Sequence, residues 1–553
     1  MLKKYVADLK KEFTGYNGSK FSKDLMAGLT VAAVALPLAL AFGVSSGADA
    51  ASGMITAIFA GIIIGILGGA SYQISGPTGA MAAILLTLSA QYGIGGVLLA
   101  GFLSGVILLL AALFKVGKLV SYIPAPVITG FTSGIAIIIA LGQIDNFFGT
   151  VSEGENALAK LISYGKLGFA PNWWAVLFGA LVVLIMVIYP KKWNAVVPSS
   201  LASIIVACAL NFILNPGVPE VGAIPQSIMT GDSLLLKGFD FSNVTGLIMP
   251  AVSIAALGMI ESLLCGASAG KMKGEKLDAT RELVAQGVGN MIIPLFGGVP
   301  ATAAIARTSV AIKSGGQTRL VSVFHSITLL LSMFLLGGVM SRIPLAALAG
   351  VLMVTAFRMN EWEAIKKFFS HKSYAAIAQF FITMIATVLF DLTIAIVIGI
   401  VAAMIFFVIK SCRLEIAVRD IQLEKLSHYD ISGNFDKTRV VYLTGPLFFG
   451  TQEKLTAAVH QLENIDSLIF SMRGVPNVDD SAIEELSALH EELQKNGVRV
   501  LFCGVNPNVK NKFDREGLTA QIGADAFHWD AIAAFQFLEE TKAALYEEDQ
   551  YSV

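Results

Sequence analysis

The chain has 553 residues, of which 55% are hydrophobic and only 14% charged; its net charge is -1 and its mean hydropathy +0.71. A water-soluble protein of this length carries roughly a quarter Asp, Glu, Lys and Arg, so this composition excludes an ordinary soluble protein and requires that much of the surface face lipid. Four scattered cysteines, Cys208, Cys265, Cys412 and Cys503, indicate neither a disulfide framework nor a zinc site, and no cofactor is expected.

The first 24 residues form a basic, amphipathic segment beginning MLKKYVADLKKEF. No cleavable apolar core follows it directly, so no removed signal peptide is expected. A bilayer is spanned by about 20 apolar residues. Runs of this kind fall near 25–43, 53–69, 76–90, 95–114, 123–142, 173–190, 196–214, 247–266, 283–297, 301–312, 320–340, 344–357, 374–390 and 392–410. These predict an all-α polytopic membrane domain over residues 25–412, with about fourteen spans. The runs at 76–90 and 301–312 are too short to cross completely. The 53 glycines suit close helix packing in lipid.

Basic residues orient the spans, because cytoplasmic loops carry the excess of Lys and Arg. With Lys3, Lys4, Lys10, Lys11, Lys20 and Lys23 inside, alternate loops should be basic. Lys115 and Lys118, Lys191 and Lys192, Lys271 to Arg281, Arg307 to Arg319, Lys366 to Lys372, and Lys410 with Arg413 fit that rule. The loop 143–172 mixes both signs and is placed outside. An even number of crossings in the plasma (inner) membrane, with both termini cytoplasmic, follows as the expectation. Asp391 reads as an outer-turn or cap residue.

From residue 413 charge becomes frequent and apolar runs shorten. RVVYLTGPLFF (439–449) reads as a strand pair around a turn, 451–463 as a helix and 466–472 as a buried strand. A helix over 481–497, stopped by Gly497, and a strand over 498–505 follow. The alternation predicts a small cytoplasmic α/β domain over 413–553.

The two short runs share a motif. Ser75-Gly76-Pro77-Thr78-Gly79-Ala80-Met81 and Gly298-Val299-Pro300-Ala301-Thr302-Ala303-Ala304 both place glycine and proline ahead of small residues and a threonine; the prolines are 223 positions apart. VAAVAL-Pro37 and VSIAAL-Gly258 echo one another at a separation of 221. Matching interrupted segments are the signature of an inverted-repeat transporter. Proline suits the first turn of a helix, and a helix that begins in mid-membrane points unpaired N–H groups and its dipole at a cavity, where they attract an anion. The plainer alternative is a pair of kinked helices. Glu261 lies within an apolar span; a carboxylate there is protonated, paired or faces a cavity, and is a functional candidate. The alternative is a protonated side chain that only ties helices together. Arg307 reads as ending its helix at the cytoplasmic surface, and Asn290 as an interhelical hydrogen-bonding residue.

Together SGPTGAM (75–81), GMIESLLCG (258–266), ELVAQGVGN (282–290), GGVPATAAIARTSVAIKSG (297–315) and VVYLTGPLFFGT (440–451) resemble a SulP-type anion permease with a C-terminal STAS domain, over nearly the whole chain. The resemblance implies seven plus seven inverted repeats, core and gate domains, elevator-like alternating access and a homodimer. It implies an anion site at Thr78, Gly79 and Ala80 facing Ala301, Thr302 and Ala303, with Phe42 lining the same cavity and Glu261 at the cation-coupling position. Sodium-coupled bicarbonate members of the family carry a hydroxyl where this chain has Cys265, which favours a proton over sodium. In the STAS domain, Asp480 occupies the position of a phosphate acceptor, so no phosphorylation switch is expected; alternatively Asp480 and Ser481 cap the helix from 482 onward.

The sequence thus predicts a secondary active symporter of sulfate, bicarbonate or a C4-dicarboxylate. Its partners are the anion, a proton or sodium, the bilayer, a second copy of the chain and a cytoplasmic protein at the STAS domain, but no nucleic acid. An uncoupled channel, a membrane-anchored sensor and a nucleobase permease are the rival readings. No P-loop, nucleophile motif or metal cluster marks an enzyme.

Overall fold

Backbone that cannot bond to water must bond to itself, and in lipid the helix is the local way of doing so. The computed structural model describes residues 2–154, 157–194, 197–224, 226–240, 244–390, 392–412, 414–419, 431 and 434–551. Asp391 and Arg413 lie outside the described residues. The chain divides into two compact units, residues 1–402 and 403–553.

Among the described residues, the regular structure of the first unit is helical apart from one two-residue strand pair. In order it contains α1 (Leu2–Glu12), α2 (Gly18–Ser45), α3 (Ala50–Leu67), β1 (Ser75–Gly76), α4 (Gly79–Leu113), α5 (Ala125–Gly142), α6 (Ile144–Phe148), α7 (Ala157–Leu167), α8 (Trp173–Ile188), α9 (Lys191–Asn194) and α10 (Ser199–Leu214). There follow α11 (Leu234–Lys237), α12 (Val244–Lys273), α13 (Ala279–Ile292), β2 (Thr302–Ala303), α14 (Ile305–Lys313), α15 (Leu320–Met340), α16 (Leu345–Met359), α17 (Trp362–Ser370), α18 (Tyr374–Leu389) and the first part of α19 (Leu392–Ser411), whose remainder belongs to the second unit. The apolar runs picked from the sequence coincide largely with helix, the two interrupted ones only after their first residues. The runs 76–90 and 95–114 are the two parts of α4, which breaks at Gly93, whose φ of 67° lies in the region that favours glycine. The run 301–312 is corrected: helix begins only at Ile305, because residues 302 and 303 pair as a strand.

Helix α2 packs on α3 and α15, α4 on α12 and α13, and α5 on α16 and α18. Small residues permit the closest approaches: a Cβ on Gly53 would lie 2.0 Å from the Ala39 carbonyl oxygen of α2, so these backbones touch directly. Helix α1 closes one end of this unit. Lys4 pairs with Asp278 at 2.6 Å and Arg281 with Asp8 at 2.7 Å, while Arg319 binds Glu12 through its backbone N–H (2.7 Å) and Nε (2.9 Å). Tyr5 bonds the Ile66 carbonyl, with both arginines over its ring. The N-terminal segment and the segments at 66–69, 278–282 and 317–319 therefore share one face.

The second unit is a five-stranded sheet in the order β3 (Glu415–Arg419), β4 (Thr438–Thr444), β5 (Ser467–Gly474), β6 (Arg499–Cys503) and β7 (Phe527–His528). Only the β3–β4 pair is antiparallel. Helices α20 (Gln452–His460), α21 (Asp480–Lys495), α22 (Pro507–Arg515), α23 (Leu518–Ile522) and α24 (Ala531–Tyr551) accompany it. Apolar side chains alternate to two separate cores, as parallel strands covered on both faces require. The expected strand pair at 439–449 is corrected to the single strand β4, since Gly445 (φ 121°) and Pro446 turn the chain out of the sheet. The cap of α21 is also corrected: Asp479, not Asp480 or Ser481, accepts from the Ala482 N–H at 2.8 Å. Asp480 instead pairs with Lys512 at 2.7 Å, and that bond holds its carboxyl below the usual range.

Candidate functional site

The two interrupted segments meet. β1 and β2 run antiparallel, with Ser75 opposite Ala303 and Gly76 opposite Thr302. This pairing explains the late start of α14. The N–H of Ala301 donates to Asn290 Oδ1 (2.7 Å), that of Ala303 to Ser262 Oγ (3.2 Å) and that of Ala304 to the Ile74 carbonyl (3.0 Å). These bonds fix the extended backbone that leads into α14, which itself begins at Ile305 without a side-chain cap.

In the other half the helix starts two residues after its proline, Pro77, and carries a side-chain cap. Helix α4 begins at Gly79 and is capped by Thr78, whose Oγ1 accepts from the Met81 N–H. The same hydroxyl donates to Glu261 Oε2 at 2.9 Å. Gly79 and Ala80 occupy the first two positions of the helix and have no intrahelical acceptor for their N–H groups. Gly79 and Phe42 line a cavity of about 370 Å³. The Phe42 ring stands 3.1 Å from where a Gly79 Cβ would be, so a side chain there would fill the approach to the helix end.

Thr78 (9% exposed) and Ala80 (0%) sit behind that surface. Ala301, Thr302 and Ala303 are buried and do not line the cavity. The Thr302 hydroxyl lies within bonding distance of the Gly258 carbonyl (3.3 Å) and of Ser262 Oγ (2.9 Å). Glu261 is partly exposed, with one oxygen held by Thr78. The structure therefore joins Thr78 to Glu261 and Phe42 to Gly79, and sets 301–303 one layer back as the support of the first half.

Arg307 is the main correction. It is not at a helix end on the surface but in the first turn of α14, 1% exposed. Its Nη2 donates to the Pro77 carbonyl, and Nη1 has no partner among the described residues. A Cβ on Gly76 would lie 2.3 Å from Nη1. Starting the helix at 301 placed Arg307 two turns along it; starting at 305 brings the cation beside the beginning of α4. Asn290 grips Ala301 through both its amide atoms, the Nδ2 bond to the carbonyl being 2.9 Å. Gln73 and Gln286 complete the frame, bonding the Ser262 carbonyl and Ser75 Oγ. The sequence offered no periodic signal for these polar residues. Among the described residues, no group of three or more His, Cys, Asp or Glu is arranged to hold a metal.

Two open N–H groups at the cavity and a carboxylate tied to the same cap, with the buried Arg307 cation behind them, are suited to an anion whose binding responds to the charge on Glu261. Residues 21–386 match the Sulfate permease family, and residues 429–529 match the STAS domain. The chain is 36% identical to YvdB of Bacillus subtilis (strain 168), over 94% of this chain and 98% of that one. It is 27% identical to the bicarbonate transporter BicA of Picosynechococcus sp. (strain ATCC 27264 / PCC 7002 / PR-6), over 91% of this chain and 92% of that one. The fold is similar to that of the murine Slc26a9 anion transporter in its inward-facing state, with a TM-score of 0.81 at 17% identity, covering 94% and 92% of the two chains. The chain belongs to the sulfate permease family of membrane-spanning anion transporters and carries a C-terminal STAS domain.

Proposed function

We propose that this anion transporter is a proton-coupled symporter of sulfate, bicarbonate or a C4-dicarboxylate, working by elevator-like alternating access. The observation that carries the reading is the Thr78 hydroxyl, which caps α4 and bonds Glu261 at 2.9 Å. One side chain thereby couples the anion end of a half-helix to a carboxylate. An ionised Glu261 repels an anion bound at Gly79 and Ala80, while a protonated one does not, so proton and anion bind with positive linkage. Protonation also removes the cost of carrying the carboxylate through the bilayer centre, about 2.5–3.5 kcal/mol on insertion scales. Arg307 supplies the fixed positive charge on the Pro77 side. Cys265, one turn from Glu261, has its thiol on Thr308 Oγ1 at 3.4 Å and is a poor ligand for a hard cation such as sodium.

In this reading Phe42, Thr78, Gly79 and Ala80 contact or shape the anion site, Ala301, Thr302 and Ala303 brace it, and Glu261 takes the proton. The transport domain is 25–412, between a cytoplasmic segment 1–24 and a cytoplasmic domain 413–553. The protein is a homodimer of the plasma (inner) membrane, and its STAS domain receives a cytoplasmic partner. The gathering of the basic N-terminal helix with the segments that hold Arg281 and Arg319 on one face supports that orientation.

The test is uptake of labelled sulfate, bicarbonate and fumarate into proteoliposomes of purified protein, under an inward proton gradient and then a sodium gradient. Proton-driven accumulation of one anion, lost in Glu261→Gln, is expected. Accumulation driven only by sodium, or downhill flux that ignores both gradients and survives Glu261→Gln, would refute the proton symporter in favour of a sodium symporter or a channel.

A further inference from the structure

The cavity that reaches Gly79 and Phe42 extends to Gln91, to Gln143 just beyond α5 and to Phe390 just beyond α18. Among the described residues its lining is uncharged except for Lys160. This lysine belongs to α7, in the segment between α6 and α8 that the sequence places outside the membrane.

Lys160 is not an ordinary surface lysine. Its side chain is 20% exposed, and its turn is pinned from both directions. Ser163 Oγ donates to the Lys160 carbonyl at 2.7 Å and accepts from the Glu153 N–H at 3.0 Å. Among the described residues the carboxylate within ion-pair range of its ammonium is Asp145, which is already engaged: it accepts from Tyr164 OH at 2.8 Å and from Ser152 Oγ. Burial and the Asp145 bond raise the Tyr164 phenol above its ordinary value, so it remains a donor. Lys160 Nζ stands 3.9 Å from Asp145 Oδ2, beyond hydrogen-bond distance. The carboxylate therefore positions the ammonium electrostatically without consuming its three N–H donors.

We infer that Lys160 is the recruiting residue of the outer vestibule, the point at which an incoming anion is first held before it passes to the end of α4 at Gly79. The inference rests on the proposed transport function and adds the route of entry and the residue that sets apparent affinity from that side. An ammonium at the mouth of a low-dielectric cleft concentrates anions within it and raises their rate of entry, and salt weakens the effect. It makes no contact with Glu261, Arg307 or Thr78 in the structure, so it acts on capture and not on coupling.

The test uses oriented proteoliposomes of the full chain with labelled sulfate, and separately labelled bicarbonate, added either on the face of the 143–172 loop or on the opposite face. Lys160→Glu is expected to raise KM on the loop face roughly three- to tenfold with maximal rate unchanged, and to leave KM on the other face unaltered. Lys160→Arg is expected to restore the loop-face KM. The difference should shrink as ionic strength rises toward 1 M, where the Debye length falls to about 3 Å. A transporting wild type whose loop-face KM is the same in Lys160→Glu, or a variant that shifts both faces equally, overturns the recruiting role and leaves the transporter reading standing. A wild type that moves neither anion overturns both.

Discussion

Replacing Asn290 by alanine removes two buried hydrogen bonds at once, from Nδ2 to the Ala301 carbonyl and from the Ala301 N–H to Oδ1. Asn290 is 1% exposed and Ala301 0%, so water does not replace either partner. Each buried polar group left unpaired costs about 1–3 kcal/mol, and two of them on one residue cost about 2–6 kcal/mol. The missing side chain also leaves a void, which adds a packing loss. Asn290→Leu separates the two effects, since it keeps the volume and loses the bonds. If hydrogen bonding dominates, both variants lower the thermal midpoint of the purified protein in detergent by similar amounts. Both should also slow uptake, because Ala301 leads directly into the Gly76–Thr302 bridge that sets the start of α4. An Asn290→Leu protein with the wild-type midpoint and uptake rate would refute the assignment of Asn290 as the clamp on the second half-segment.

Gly76→Ala places a methyl 2.3 Å from Arg307 Nη1; it should displace the guanidinium from the Pro77 carbonyl and depress anion uptake, with little change in the fluorescence-detected elution profile of the purified protein. An unchanged uptake rate would show that the arginine has room to move without consequence. Asp479→Ala removes the cap of α21 and the bond from the Phe449 N–H at 3.0 Å. Loss of such a cap costs about 0.5–2 kcal/mol, measurable by denaturant unfolding of the STAS domain followed through its helical signal, whereas Ser481→Ala should be neutral in the same assay.

Much of the membrane domain follows from composition alone. A backbone without water must close its own hydrogen bonds, so the uninterrupted apolar runs became helix whatever they packed against. The Gly-Pro interruptions were equally visible, because proline removes a donor and glycine tolerates the break regardless of context. Glu261 stood out because a carboxylate is costly in lipid.

What tertiary structure decided was the destination of the groups that these breaks released. Ala301 finds Asn290 eleven positions earlier, Ala303 finds Ser262 forty-one positions away, and Ala304 finds Ile74 on the other half of the chain. Those partners turned 302–303 into strand and delayed α14, and the delay carried Arg307 from an expected surface position to a buried one beside the start of α4. Arg319 meets Glu12 across 307 positions in the same way. Local propensity and hydrophobic period sense only neighbours along the chain, so they report which segments must cross lipid; which polar group satisfies which broken backbone depends on distances that exist only after the helices have packed.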